Sequence, residues 1–294
     1  TKDIGKPLTV ALIQPNIAQN EKWSVEKRRT ILTQLAAQTE AYWGHDIIIW
    51  PEAAVPSTPK RIPVFMQNLE RKANDSGSTL LTGIITQDGE QGRYYNSVLA
   101  VGDQSGQYHK TRLVPFGEYV PLEFLLRGLI QFFDLPMSSL SVGPSNQIPL
   151  TVQKQLIATA ICYEVVYPDL VARISREASL IVTVSNDTWF GESLGPLQHM
   201  QMVQMRALEN AKPIIRGTNN GISGLVDQRG NIYGRMDQNS IDELSGVVQP
   251  RAGQTPFSIT GSWPIIFLSW LIVFFLVLYR SKTNVLEESK NEIK

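Results

Sequence analysis

Residues 156–185 read LIATAICYEVVYPDLVARISREASLIVTVS. An apolar run over 156–162 stops at a lone cysteine, Pro168 opens a stretch of helical period over 168–178, and a second apolar run fills 180–185. Short continuous apolar runs bounded by turn residues are the mark of strands covered on both faces. Proline suits the first turn of a helix, where its missing N–H has no intrahelical partner to lose. Strand, helix, strand in this order predicts an α/β chain built in layers.

The same alternation extends in both directions. Buried strands are expected at 8–14, 46–50, 79–86 and 97–101, and later ones at 214–217, 222–226 and 246–249 around glycine-rich turns. Helical spacing of Val25, Ile31, Leu32, Leu35 and Ala36 predicts a helix over 24–42 with Gly44 as its stop; 62–76 and 196–210 read similarly. No internal repeat and no low-complexity linker is visible. With 43% hydrophobic and 18% charged residues among 294, the chain can bury a substantial core, and one large domain is the expectation.

Composition removes several functions. The 27 basic and 27 acidic residues balance, so no global field draws nucleic acid, and no nucleic-acid partner is expected. A single cysteine, Cys162, excludes an intrachain disulfide and a multi-cysteine metal site. The three histidines, His45, His109 and His199, lie far apart, which gives little support to a metal cluster or a Cys-His dyad, although sequence distance does not exclude convergence in space. Residues 1–6 are polar and the apolar run 8–13 is too short for a signal peptide. With no initial Met, a fragment or a processed chain is expected.

Two stretches depart from the alternation. Residues 119–137 crowd leucine and phenylalanine with few charges, as a core helix with loops or as an apolar, membrane-contacting arm. Residues 263–279 read WPIIFLSWLIVFFLVLY without a charge and are followed by Arg280 and Lys282. As a helix this run reaches roughly 25 Å, at the lower limit for crossing a hydrocarbon core. Trp263 and Tyr279 suit interfacial positions, and the basic residues after them place that end in the cytoplasm. A buried terminal core helix is the alternative.

Three places carry chemistry. Cys162 ends a strand just before a helix, where a rigid strand fixes a nucleophile and the turn exposes its sulfur; a lone cysteine is also commonly inert packing. Glu52 follows the strand-like IIIWP of 47–51, either as a helix-start or surface charge or as a general base whose pKa an apolar setting raises. Lys110, in YHKTRLVPFGE over 108–118, is a solvated loop charge or an oxyanion stabiliser. An activated Cys162 thiolate would alkylate faster near neutral pH than an inert buried thiol.

Taken together, the three segments resemble the Glu-Lys-Cys triad of the carbon-nitrogen hydrolase (nitrilase) superfamily over nearly the whole chain before the apolar tail. WPEAAVP (50–56), LVPFGEYVPLE (113–123), FFDLPMSS (132–139), ICYE (161–164), SNDTWFG (185–191) and QMRALENAKPIIRGTNNGIS (204–223) resemble, more narrowly, the bacterial apolipoprotein N-acyltransferase family. The resemblance implies an α/β, four-layer αββα sandwich followed by one transmembrane helix: a catalytic domain over 1–260, a span over 261–280 and a cytoplasmic tail over 281–294. It implies Glu52 as general base, Lys110 as oxyanion stabiliser and Cys162 as nucleophile. Glu118 matches an assisting carboxylate, and Trp23, Tyr163 and Glu164 match positions tied to substrate handling or support of the triad. SNDTWFG and the TNNGIS turn would line the site.

The implied partners are a phospholipid acyl donor such as phosphatidylethanolamine, a diacylated apolipoprotein acceptor and the bacterial inner membrane, with the domain on its periplasmic side. No metal or organic cofactor is implied. Members of that family carry several transmembrane helices ahead of the catalytic domain, so the sequence resembles their C-terminal part. Two rivals are a soluble-substrate amidase with the same triad and a catalytically silent membrane scaffold.

Overall fold

A strand that is apolar at every position is stable only when both of its faces are covered. The computed structural model, which describes residues 1–89, 92–119 and 140–291, covers them by packing two sheets face to face and helices outside each. Strand β1 (Lys2–Asp3) stands apart. β2 (Leu8–Gln14), β3 (Ile47–Ile49), β4 (Thr79–Gln87), β5 (Tyr94–Val101) and β6 (Gly106–His109) belong to the first sheet. β7 (Leu150–Val152), β8 (Gln155–Ile161), β9 (Leu180–Ser185), β10 (Ile214–Thr218), β11 (Gly224–Val226) and β12 (Ile232–Arg235) form the second. β13 (Asp242–Val248) returns to the edge of the first sheet, and β14 (Arg251–Ala252) pairs with β1.

Side chains alternate between the faces of each strand. Val10, Leu12, Ile47, Ile49 and Leu81 of the first sheet meet Ile157, Ile161, Val182, Val184 and Ile215 of the second in the central layer. Their neighbours Ala11, Ile13, Ile48 and Leu80 face outward onto α2 (Arg28–Thr39) and α3 (Pro63–Ser76), which follow the short α1 (Gln19–Lys22). Ala158, Ile181 and Ile214 face α4 (Pro168–Ile174) and α5 (Gly195–Asn210) through Val171, Met200 and Val203. Each such fully buried aliphatic contributes roughly 1.5–3 kcal/mol. The result is the four-layer αββα sandwich that the sequence resemblance implies.

The two sheets also repeat one another. From its β13 edge the first pairs antiparallel, parallel, parallel, antiparallel, antiparallel; from its β7 edge the second follows the same order. No repeat is visible in the sequence, because a shared topology asks only for apolar strands and helices in the same order.

Several boundaries differ from expectation for local reasons. The helix expected over 24–42 starts at Arg28, since the Ser24 hydroxyl accepts the Lys27 N–H (3.3 Å) in a turn that competes with helix. The helix expected over 168–178 stops at Ile174, where the Ser175 carbonyl takes the Lys212 ammonium and the Ser175 hydroxyl bonds Asn210 (3.0 Å). β6, β7 and β12 are short and partly exposed, without the apolar run that marks the central strands. The apolar arm expected over 119–137 lies, beyond Tyr119, outside the described residues.

After α6 (Pro256–Thr260), Gly261 (φ +59°) turns the chain into α7 (Trp263–Asn291). The window Trp263–Arg280 is long and apolar enough to cross a membrane, and none of it is buried. Among the described residues the helix is therefore not part of the core.

Candidate active site

Each of the three chemistry-bearing residues sits where a central or edge strand ends. Past β3, the Trp50 N–H bonds Leu81 O (2.9 Å) and the indole N–H bonds Thr39 Oγ1 (2.9 Å), so the chain is held until Pro51. It then turns sharply at Glu52, with Ala53 in the left-handed region (φ +44°). Gly83 of β4 lies directly beneath; a Cβ there would sit 2.6 Å from Ala53 N and 2.7 Å from the Glu52 Cα. Only glycine lets that turn approach the sheet.

The Glu52 carboxylate is fully engaged. Oε1 accepts Asn96 Nδ2 (2.7 Å) and Lys110 Nζ (3.2 Å), and Oε2 accepts the backbone N–H of Asn186 (2.8 Å). Lys110, just past β6 and 1% exposed, also donates to Glu118 (2.9 Å). Glu118 is steadied by Asn96 Nδ2 (3.0 Å) and Val114 N (2.8 Å). One lysine thus serves two buried carboxylates, and one asparagine spaces them.

Cys162 follows β8 with φ +50°, a conformation costly for a side chain with a Cβ and held only by firm surroundings. Two residues on, the fully buried Glu164 accepts the Ile161 N–H (2.8 Å), the Tyr108 hydroxyl (3.0 Å), the N–H and hydroxyl of Thr111 (both 2.7 Å) and the Arg112 N–H (3.1 Å). Glu164 therefore ties the cysteine turn to the segment that begins at Lys110. Beneath the turn, His199 Nε2 lies 3.2 Å from the Cys162 carbonyl oxygen. His199 Nδ1 is 3.1 Å from both Asp187 Oδ1 and Arg216, and Arg216 donates to Asp187 Oδ2 (2.7 Å). A neutral ring donating from Nε2 and accepting the Arg216 N–H satisfies both ends.

Glu52, Lys110, Glu118, Cys162, Tyr163 and Trp23 all line one cavity of about 560 Å³. Glu164 does not face it; its work is the clamp. The remaining wall is largely apolar, and Phe116, Trp189 and Phe190 both line the cavity and are exposed, which places them at its opening. The Trp23 indole N–H is buried without a hydrogen-bond partner among the described residues. Among those residues no group of three His, Cys, Asp or Glu side chains is placed to hold a metal ion.

The electrostatics correct one expectation. Burial pushes the Glu52 carboxyl up, but Lys110, Lys22 and the Asn96 hydrogen bond outweigh it, so Glu52 is held below its ordinary value. Burial and the Glu52 charge push the Cys162 thiol up to about 12 against the pull of Lys110. Burial works against the Lys110 charge, yet Glu52, Cys162 and Glu118 hold its pKa well above ordinary. The resting site is a carboxylate, a cation and a neutral thiol, and the raised Glu52 carboxyl that an apolar strand suggests does not occur. Burial and Arg216 lower His199, which stays neutral.

Sequence reasoning passed over Lys22, Asn96, Asp187, His199 and Arg216. Lys22 stands beside Trp23, and Asn96 is a polar residue inside the apolar run of β5; either was a readable cue. The Asp187, His199 and Arg216 set converges only in three dimensions, although SNDTWFG and the TNNGIS turn contain or adjoin it. His199 shares the cavity with Cys162, and its contact is to the backbone oxygen.

A cysteine at a strand end and a lysine shared by two carboxylates thus line one cavity between two packed sheets. The carbon-nitrogen hydrolase family model matches residues 9–256, and the chain belongs to that family. It is 40% identical to a protein of Photobacterium profundum named apolipoprotein N-acyltransferase, over 98% of this chain and 58% of that one. A protein of the same name from Pseudomonas aeruginosa is 43% identical over 95% of this chain and 55% of its own. The chain thus spans a little over half the length of the curated relatives it matches. Its fold resembles that of Saccharomyces cerevisiae Nit3, of the nitrilase superfamily, with a TM-score of 0.63 at 17% identity over 85% of this chain and 93% of that one. The carbon-nitrogen hydrolase superfamily protein XC1258 of Xanthomonas campestris gives 0.62 at 14%, over 83% and 91%.

Proposed function

We propose that this chain is the catalytic part of a membrane N-acyltransferase that moves a fatty acyl group from a phospholipid to a lipoprotein. The observation that carries the proposal is the joining of the Cys162 thiol to an apolar opening. The cavity around Cys162 ends in Phe116, Trp189 and Phe190, and the same chain exposes the apolar Trp263–Arg280 helix. A small polar amide needs neither. The names of the relatives point the same way.

The chemistry follows from the charges. As Sγ of Cys162 attacks the donor ester carbonyl, its proton passes to Glu52, which becomes neutral and no longer repels the sulfur. Lys110 stabilises the tetrahedral oxyanion, a charge that counts for more where water is excluded. The intermediate collapses to a Cys162 thioester, and Glu52 returns the proton to the departing lysophospholipid oxygen. The neutral α-amine of a diacylglyceryl-cysteine then attacks the thioester. Glu52 takes the amine proton, the amide forms, and the thiol is restored with that proton. Glu118 orients Lys110, Glu164 holds the cysteine turn, and Trp23 and Tyr163 form walls against the substrates. No cofactor enters any of these steps.

Phosphatidylethanolamine is the proposed donor. Residues 1–260 are proposed as the catalytic domain on the periplasmic side of a bacterial inner membrane, 261–280 as the span and 281–294 as the cytoplasmic tail, in keeping with Arg280 and Lys282 after the apolar run.

The test is intact-protein mass spectrometry of the protein after incubation with phosphatidylethanolamine in detergent. A gain of one acyl mass, removed by neutral hydroxylamine and absent in Cys162→Ala, is the expected result. A folded protein that gains no mass but hydrolyses simple amides is an amidase instead.

A further inference from the structure

Lys22 belongs to the cavity as fully as the triad does, and no role for it has been given. It ends α1, is 1% exposed, lines the cavity, and donates through Nζ to the Glu52 carbonyl oxygen (2.9 Å). A buried ammonium is costly unless an opposite charge compensates it. Its bonded partner here is a neutral carbonyl, so the compensation comes from the site as a whole.

Counting charges shows how. Lys22 and Lys110 carry two positive charges; Glu52 and Glu118 carry two negative ones, and the Cys162 thiol carries none. When the thiol proton moves to Glu52, the negative charge moves from carboxylate to sulfur and the sum stays zero. Without Lys22 the sum is minus one before and after the transfer. Lys110 is already shared by both carboxylates. On the far side of Cys162, Asp187 is matched by Arg216, and His199 is neutral, so among the described residues no spare cation approaches from the second sheet.

We infer that Lys22 is a positioning residue for the thiol chemistry: its ammonium fixes the Glu52 turn and supplies the charge that keeps Glu52 ionised until Cys162 gives up its proton. The inference rests on the proposed roles of Glu52 and Cys162. Two effects of the surroundings agree with it. Lys22 is among the charges that hold Glu52 below its ordinary pKa. Burial lowers Lys22 itself to about 8, against the pull of Glu52 and Cys162, so mild alkali removes the balancing charge.

The experiment records pH profiles of two reactions of the full-length protein in detergent: Cys162 acylation by phosphatidylethanolamine, and Cys162 alkylation by iodoacetamide, which needs no lipid. The variants are Lys22→Met, Lys22→Arg and, as a control, Lys212→Met, which removes a buried lysine bonded to the Ser175 carbonyl outside the cavity. Removing a close positive charge raises a carboxyl or thiol pKa by about one unit or more, so Lys22→Met moves the acid limb of acylation upward and slows both reactions about tenfold at a fixed pH on the rising limb. Lys22→Arg, which stays charged in alkali, keeps the acid limb and removes the fall above about pH 8. Lys212→Met shifts neither limb.

A uniform loss of rate in Lys22→Met with unmoved limbs overturns the inference, as does an equal shift in Lys212→Met. If Lys22→Met does not fold, an unchanged alkaline limb in Lys22→Arg overturns it alone. Shifted alkylation limbs in a protein that phosphatidylethanolamine never acylates uphold the role of Lys22 and discard the lipid donor. Acylation with unmoved limbs does the reverse.

Discussion

The two halves of the sandwich share a topology and divide the chemistry unequally. The half built on β2–β6 brings mobile charge to the cavity: Lys22, Glu52, Lys110 and Glu118, with Asn96 between the carboxylates. The half built on β8–β12 brings one neutral thiol, and its own charges, Asp187 and Arg216, cancel under the nucleophile's backbone. The first half sets proton affinities; the second sets geometry. Neither half holds the proposed site alone, because a thiol and its proposed base are useful only at the distance the sheet packing imposes.

The sharpest way to break the first half is Glu52→Gln, which keeps an oxygen for Lys110 and removes the base. Single-turnover acylation of Cys162 should fall by about 10²–10⁴-fold in protein that is still folded. A loss below threefold would move the base elsewhere.

The second half breaks differently. Asp187→Asn leaves the Arg216 charge buried and unmatched, and should cost about 3–5 kcal/mol in denaturant unfolding. Burial alone would raise the Asp187 carboxyl, but Arg216, with the bond from Ser185, holds it well below ordinary. A depressed carboxyl stabilises the fold above its unfolded pKa, so this contribution is present at neutral pH and lost as pH falls below about 4. A parent protein whose acid unfolding matches that of Asp187→Asn would contradict the assignment.

Between the halves stands the thiol. A shift from 9.0 to about 12 leaves about 10³-fold less thiolate near pH 8 than in an ordinary cysteine, and alkylation by iodoacetamide should be slower in that proportion. Rapid labelling of the folded protein at pH 7 would show an activated thiolate and contradict the raised thiol. The smallest effect belongs to His199→Gln, which loses one hydrogen bond to the Cys162 carbonyl and should cost about 1 kcal/mol, with acylation lowered without a change in its pH limbs.

Legibility in the sequence followed burial. The strands ending near Glu52 and Cys162 were readable because each is largely apolar, and α3 and α5 were placed to within a residue because Pro63 and Pro196 mark their starts and Gly77 the end of α3. The edge strands β6 and β12 are only partly buried, so period and polarity say little there. The roles of Glu52, Lys110 and Cys162 came from resemblance, since spacing left each with an ordinary alternative. The direction of the Glu52 shift was out of reach for a further reason. An apolar strand predicts a raised carboxyl, and the lowering depends on Lys22, Lys110 and Asn96, which lie 30, 58 and 44 residues away and meet only in the fold.

Glu164 gives the arrangement a consequence for damaged molecules. Because one carboxylate grips both the cysteine turn and the segment after Lys110, any loosening between the sheets parts sulfur and cation together. On the proposed function, failure is then silent: a half-open copy holds a dormant sulfur instead of a stray esterase.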